Sequence, residues 1–173
     1  MLRTRWLRRM FIMFGLFCYS LPVSSQYSDD DLKSVYLFRF AMLAEWPKSV
    51  SVSAKEYCVA RGSQVGDGLK KIVEAKLGEQ AFYGSETLSL ASTCHILYVE
   101  SGSAALVSRL KSQFPHALLI GNGMQFIDLG GMIAFIRVNN RIKPLIAPAH
   151  AQQSGVKIRS QLLKVAEIVE VSL

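Results

Sequence analysis

Apolar and polar positions follow two different rhythms along this chain. From residue 28 the pattern opens with Ser28-Asp29-Asp30-Asp31, and Leu32, Val35, Tyr36, Phe38, Phe40, Met42 and Leu43 follow before Pro47 ends the run. Short oxygen-bearing side chains satisfy the free amides of a helix start, and carboxylates suit its positive end, so this stretch predicts a helix of about four turns. It is apolar over much more than one stripe, which requires burial in a core or against a second chain.

Short β runs and helical stretches then alternate. Residues 57–60 read as a strand, Gly66-Asp67-Gly68 as a turn, and Leu69, Ile72, Val73 and Leu77 as one face of a helix. A weak strand at 81–83, a strong one at 96–99, a helix at 104–114 and a further strand at 118–120 continue the pattern. Strands that alternate with helices need crossover connections, so the predicted fold is a three-layer α/β structure with a mostly parallel sheet between helices. The last third changes character. Two β runs at 132–138 and 142–146 flank Asn139-Asn140-Arg141, and asparagine tolerates the positive φ of a tight hairpin, so the sheet should carry an antiparallel C-terminal edge hairpin. Ser160 is expected to cap a last helix with Leu162, Leu163, Ala166 and Val169 on one face.

The amino terminus carries a different signal. Arg3, Arg5, Arg8 and Arg9 precede an apolar run at 10–21 and then small residues at 23–25, the layout of a secretory leader. The run is shorter than the roughly 20 residues that span a bilayer as a helix. Cleavage before Gln26 leaves a single domain at 26–173. Cys18 is no lipidation site, because Phe17 stands where that signal wants a small residue.

Export changes the charge balance. The whole chain has 20 Lys and Arg against 13 Asp and Glu, a net charge of +7, and the leader holds four of the basic residues and none of the acidic ones. What remains is scattered, with no basic stripe interleaved with aromatics, so nucleic acid is not implied. Half of the residues are hydrophobic, which argues against disorder. Two cysteines, Cys58 and Cys94, survive cleavage. In an oxidising compartment an even count invites pairing, while two separately buried thiols are the alternative. If strands one and three of the sheet are neighbours, the two cysteines lie close enough to bridge.

Several segments together resemble one family. The first helix closing with "LFRFAMLAEWP", the strands "YCVARG" and "CHILYVE", the segment "LLIGNGMQFIDLGGMIAFIRVNNRIKPLIA" and the tail "GVKIRSQLLKVAEIV" are similar, in order, to the periplasmic YfiR proteins. The resemblance implies a three-layer α/β fold and a regulator rather than an enzyme. Such a protein acts as a periplasmic homodimer on the sensor part of a membrane-bound diguanylate cyclase, holding down cyclic-di-GMP synthesis and biofilm formation. An outer-membrane-associated lipoprotein sequesters it. The family's cysteine pair falls on Cys58 and Cys94; a second pair found near the glycine-glycine segment of some members is missing here. The partner surface falls on Phe135, Ile146, Lys157 and Arg159, with core packing nearly as good an account of the first two. Lys157 and Arg159, two cations ahead of a helix start, make sense against an acidic partner. For the dimer contact the large side chains Tyr36, Phe40 and Trp46 are the candidates, against a core role.

Other chemistry is sparse. His95, His116 and His150 are far apart and lack metal-ligand spacing, and no cofactor motif is present. There is no G-x-S-x-G elbow, and a cysteine nucleophile requires an unpaired thiol. Gly66 and Gly68 before a helix, with Asn122 at the end of a later strand, form a candidate ligand loop at the strand ends, where a helix amino terminus receives anions. The plain alternative is a βα turn capped by Asp67. Two rival functions follow: a periplasmic small-molecule sensor acting on another membrane protein, and a thiol-dependent enzyme.

Overall fold

A computed structural model describes residues 28–50, 54–76 and 78–171. The stretch at 1–25 expected to be a leader, and Leu77, lie outside the described residues. Helix α1, Asp29–Phe40, starts with a reciprocal cap in which the Ser28 hydroxyl accepts from the Asp31 amide and the Asp31 carboxylate accepts from the Ser28 amide. Then come β1 (Ala44–Glu45), β2 (Lys55–Val59), α2 (Gln64–Ala75), β3 (Gln80–Tyr83), β4 (Ile96–Tyr98), α3 (Ala104–Gln113), β5 (Leu118–Asn122), α4 (Met124–Asp128), β6 (Ile133–Val138), β7 (Arg141–Ile146), α5 (Pro148–Gln153), β8 (Lys157–Ile158), α6 (Ser160–Leu163) and β9 (Glu167–Ile168).

Seven strands form one sheet in the order β3-β2-β4-β5-β6-β7-β9. All neighbours are parallel except β6 and β7, which are antiparallel around Asn139 and Asn140 at φ 48° and 59°. The expected hairpin is therefore present, and two-residue β9 covers its outer strand. Because β-strand side chains alternate, Tyr57, Val59, Tyr98 and Phe135 share one face of the sheet. There α1 lays its aromatics down: Phe38 stacks on Tyr57 at 5.5 Å, and Tyr36 and Phe40 each sit 6.0 Å from Phe135. On the other face Phe126 of α4 lies over Gly121. Helices on both sides complete the three layers.

Two expectations are corrected. Gly66-Asp67-Gly68 does not turn the chain; it is the first part of α2, which Ser63 caps by accepting the Gly66 amide. Gly68 has a packing role instead, since a Cβ there would stand 2.5 Å from the Ser34 Oγ of α1. The last helix is a single turn with Arg159 at its N-cap and Ser160 already inside it, and the chain leaves it at once for β9. The alternating Glu167-Ile168-Val169 segment gains more by hydrogen bonding to β7, where the Val169 amide reaches the Ile146 carbonyl at 2.9 Å.

Gly131 makes a sharp test of this packing. A Cβ there would lie 2.6 Å from the Phe126 carbonyl oxygen as well as against its ring, and a backbone atom cannot step aside. Gly131→Ala is expected to cost about 1–3 kcal/mol in urea unfolding, the usual penalty of forcing extra volume into a filled site. A cost below about 0.5 kcal/mol, the usual scatter of surface substitutions, would contradict that contact.

Candidate functional site

Three places combine polar chemistry with shape. The first surrounds the disulfide. Cys58 in β2 and Cys94, just before β4, are bridged across 36 residues with their Cα atoms 5.5 Å apart. Cys94 holds φ 47°, a left-handed conformation that is uncommon outside glycine. Glu56 explains how it is kept there. Its buried carboxylate accepts the Thr93 amide at 2.6 Å, the Cys94 amide at 2.8 Å, the Ser92 amide at 3.1 Å and the Ser92 hydroxyl at 2.7 Å. Burial alone would raise the Glu56 pKa, but the Ser92 hydroxyl and the three amides outweigh it and hold the group below its ordinary 4.5.

The Glu56 amide in turn donates to His95 Nδ1 at 3.1 Å, so the neutral ring carries its proton on Nε2. His95 is fully buried, with Trp46 edge-on at 5.1 Å. Burial first and the Lys55 charge second push its pKa below 6.5, against smaller opposing effects of the Val50 backbone and Glu56. Trp46 donates its indole N–H to the His116 carbonyl at 2.9 Å, and the Lys55 ammonium stands 4.7 Å over its ring. His116 and His150 use their Nδ1 atoms on the Ser154 and Gly131 carbonyls. Among the described residues no three His, Cys, Asp or Glu side chains converge as metal ligands do.

The second place is the carboxyl end of the parallel strands. Asn122, the last residue of β5, donates to the Tyr98 hydroxyl at 2.9 Å and to the Glu100 carbonyl at 3.0 Å. Tyr98 donates to the Glu100 carboxylate at 2.7 Å. Burial first, then Glu100, drive the Tyr98 phenol far above its usual range, so it stays a neutral donor. A cleft of about 610 Å³ opens here, between the first turn of α1 and the ends of β4, β5 and β6. A second cleft, of about 480 Å³, lies between the first turns of α1 and α2 and is lined by Asp30, Ser34, Asp67 and Gly68. Both clefts include Ser28 and Asp30, so the candidate ligand residues Gly68 and Asn122 sit on opposite sides of one helix end. The expected anion loop is corrected: the Gly66 amide is spent on Ser63, and the walls carry carboxylates.

The third place is a small ribbon the sequence did not announce. β1 and β8 pair antiparallel, Glu45 opposite Lys157, and Arg159 reaches the Glu45 carboxylate at 3.0 Å. Lys157 and Arg159 are both exposed. They do not meet the other two partner-surface candidates: Phe135 and Ile146 are 3 % and 0 % exposed and belong to the core. The dipole argument for the cations also weakens, since α6 is four residues long and Arg159 already has an acid within its own chain. Of the dimer candidates, Phe40 is fully buried and Tyr36 and Trp46 are half-buried in the contacts above. Sequence reasoning missed Glu56, Tyr98 and Glu100. A carboxylate inside the apolar strand Tyr57-Cys58-Val59 was the available signal for the first, because a charge at such a position must be paired or hydrogen-bonded.

Compared with known protein families, residues 30–167 match the profile described as YfiR/HmsC-like. No curated protein matches the chain.

Proposed function

Because the chain belongs to the YfiR/HmsC-like family, matched over residues 30–167, we propose that it is a periplasmic repressor of a membrane diguanylate cyclase. It binds the cyclase's periplasmic sensor domain and lowers cyclic-di-GMP and biofilm formation. The family match carries this reading, since it spans the disulfide, the sheet and the β1–β8 ribbon. A bonded Cys58–Cys94 pair supports a binding role over thiol chemistry, because neither sulfur is then a nucleophile. Repression works by population shift: a protein that binds the inactive receptor conformation more tightly than the active one draws the receptor toward it, and only that difference in affinity counts. Secretion through a cleaved leader at 1–25 places the 26–173 domain beside the receptor. A homodimer forms the working unit, and an outer-membrane-associated lipoprotein relieves repression by sequestering it.

The exposed pair Lys157 and Arg159 is the contact we assign to the receptor. Both project from a ribbon whose backbone is fixed by the Arg159 amide on the Leu43 carbonyl at 2.9 Å, so their positions are set before binding. Preset cations speed and orient docking on an acidic surface. Reversing both, Lys157→Glu with Arg159→Glu, is expected to weaken binding to the isolated sensor domain by about tenfold or more and to raise cyclic-di-GMP in the host. Lys70→Glu, an exposed charge on α2, serves as the control. Wild-type affinity in the double reversal, with the fold intact by circular dichroism, would remove the ribbon from the interface.

A further inference from the structure

His95 takes the place of a backbone carbonyl. In this strand the Lys55 amide points toward β3, reaching the Glu79 carbonyl at 3.1 Å, so the next amide, that of Glu56, faces β4. There it donates to His95 Nδ1 at 3.1 Å, which makes the imidazole the first rung of the β2–β4 ladder. The rung holds only while Nδ1 is bare. Because Nε2 carries the ring's first proton, a second must go to Nδ1. Two N–H groups would then point at each other, and the buried Glu56 amide would lose its acceptor. The surroundings do not suit an ion either. His95 is fully buried, and Nε2 completes no hydrogen bond among the described residues, although the Val50 backbone lies near it. Among the described residues the charged groups facing the ring are both on β2: Lys55, which opposes a proton, and Glu56, whose weaker favourable effect comes from a carboxylate already engaged by residues 92–94. His116, just before β5, turns its ring to the Ser154 carbonyl and offers Trp46 only its backbone.

We propose that His95 is an acid-operated latch: a proton taken from water by Nδ1 breaks the bond to the Glu56 amide, turns the ring out from the start of the β2–β4 ladder and displaces Trp46 with it. Trp46 packs edge-on against the ring at 5.1 Å and is itself half-buried, so it forms the outer layer over a fully buried imidazole and has to move before the ring meets water. Its indole N–H on the His116 carbonyl and the Lys55 ammonium over its ring keep it closed at neutral pH. Trp46 follows β1 directly in the chain. Its departure therefore loosens the ribbon where Glu45 opposes Lys157 and holds Arg159. The open form has an exposed His95 with the ordinary value of 6.5, and the closed form a lower one. The ratio of open to closed accordingly rises by up to about tenfold for each pH unit below 6.5, until the closed form itself takes the proton. That acid thereby weakens receptor contact rests on the function proposed above; the latch does not, and it is read without a receptor.

Hydrogen exchange followed by NMR on the folded full-length chain tests this, because local opening and global unfolding leave different protection. The reporters are the Glu56 amide and the Trp46 indole N–H, and the reference is the Val99 amide, bonded to the Ile120 carbonyl at 2.8 Å in the middle of the sheet. Both reporters should be protected at least tenfold less than Val99, and their protection should fall together by about tenfold between pH 6.5 and pH 5.5. His95→Asn places a carbonyl oxygen near the position of Nδ1 and cannot take up a proton, so it should make the protection of both reporters independent of pH. His116→Gln, which alters the other nearby imidazole, should leave the pH dependence in place. The wild-type comparison decides the matter if His95→Asn folds poorly. Reporter protection equal to that of Val99, reporters that do not respond to pH, or a response that survives His95→Asn overturns the proposal.

Discussion

Glu56→Ala is expected to cost about 3 kcal/mol of unfolding free energy, large for a substitution that removes no apolar packing. The carboxylate gathers four donors from residues 92–94. Hydrogen bonds to charged groups contribute roughly 1.5–3 kcal/mol each, while a buried donor left unserved costs about 1–3 kcal/mol. The Cys94 amide is buried and bears that cost in full; the Ser92 groups are exposed and recover water. Glu56→Gln should lose nearly as much, because its NH₂ faces donors. The pH dependence gives an independent check. Glu56 has a folded pKa below its unfolded 4.5, so its stabilisation is complete above that value and is lost as pH falls through the folded pKa. His95 also has a depressed folded pKa, so between 6.5 and that lower value the unfolded chain binds the extra proton and stability declines with acidification. Urea unfolding from pH 7 to pH 3 should therefore show two declines in the wild type. The variant should keep the first and lose the second. A wild-type profile flat from pH 5 to pH 3 would mean that the carboxylate contributes nothing.

Removing the disulfide should have the largest effect on stability. Closing a loop of 36 residues lowers the entropy of the unfolded chain by an amount worth about 4 kcal/mol in the chain-entropy model. For a domain of this size that is a fall in Tm of roughly 10 °C. The double replacement Cys58→Ser with Cys94→Ser avoids an orphan thiol, and reduction of the wild type should reproduce its shift. The bond and Glu56 act on the same short segment, and Cys94 holds a left-handed φ that costs about 1–3 kcal/mol unless its surroundings enforce it. Their effects should accordingly not add. A double-mutant cycle between Glu56→Gln and the cysteine pair is expected to return a coupling of about 1 kcal/mol. A loss below about 1 kcal/mol on removing the bond would show that the unfolded chain is not what the cross-link restrains.

Much of the fold was legible because long elements repeat their signal. The acidic cap at Ser28, the apolar strands at Tyr57 and Ile96 and the paired asparagines 139 and 140 each state a local rule that the tertiary structure keeps. Two-residue strands state nothing: β1 and β8 exist only because Leu43 and Arg159 are brought together across the chain. Gly66 and Gly68 misled for a related reason. Glycine marks turns when only neighbours in sequence are visible, yet here the small size of Gly68 serves the approach of α2 to Ser34, and that of Gly66 its approach to Val59. The site residues divided in the same way. Cys58 and Cys94 could be paired from their count and placement, whereas Phe135 and Ile146 look alike in sequence whether they face a partner or the core, and burial assigns them to the core. Tyr98, Glu100 and Asn122 form a network only once β4 and β5 are side by side. No short motif spans the chain between Tyr98 and Asn122, so no spacing rule would have joined them.

In the proposed function this protein acts outside the cytoplasm by holding a cyclase receptor inactive. Deleting it in its native host and measuring cyclic-di-GMP tests that directly. A rise is expected that is reversed by the full-length chain and not by a version starting at Gln26 and lacking the proposed leader. Unchanged cyclic-di-GMP, or rescue by the leaderless version, would contradict it.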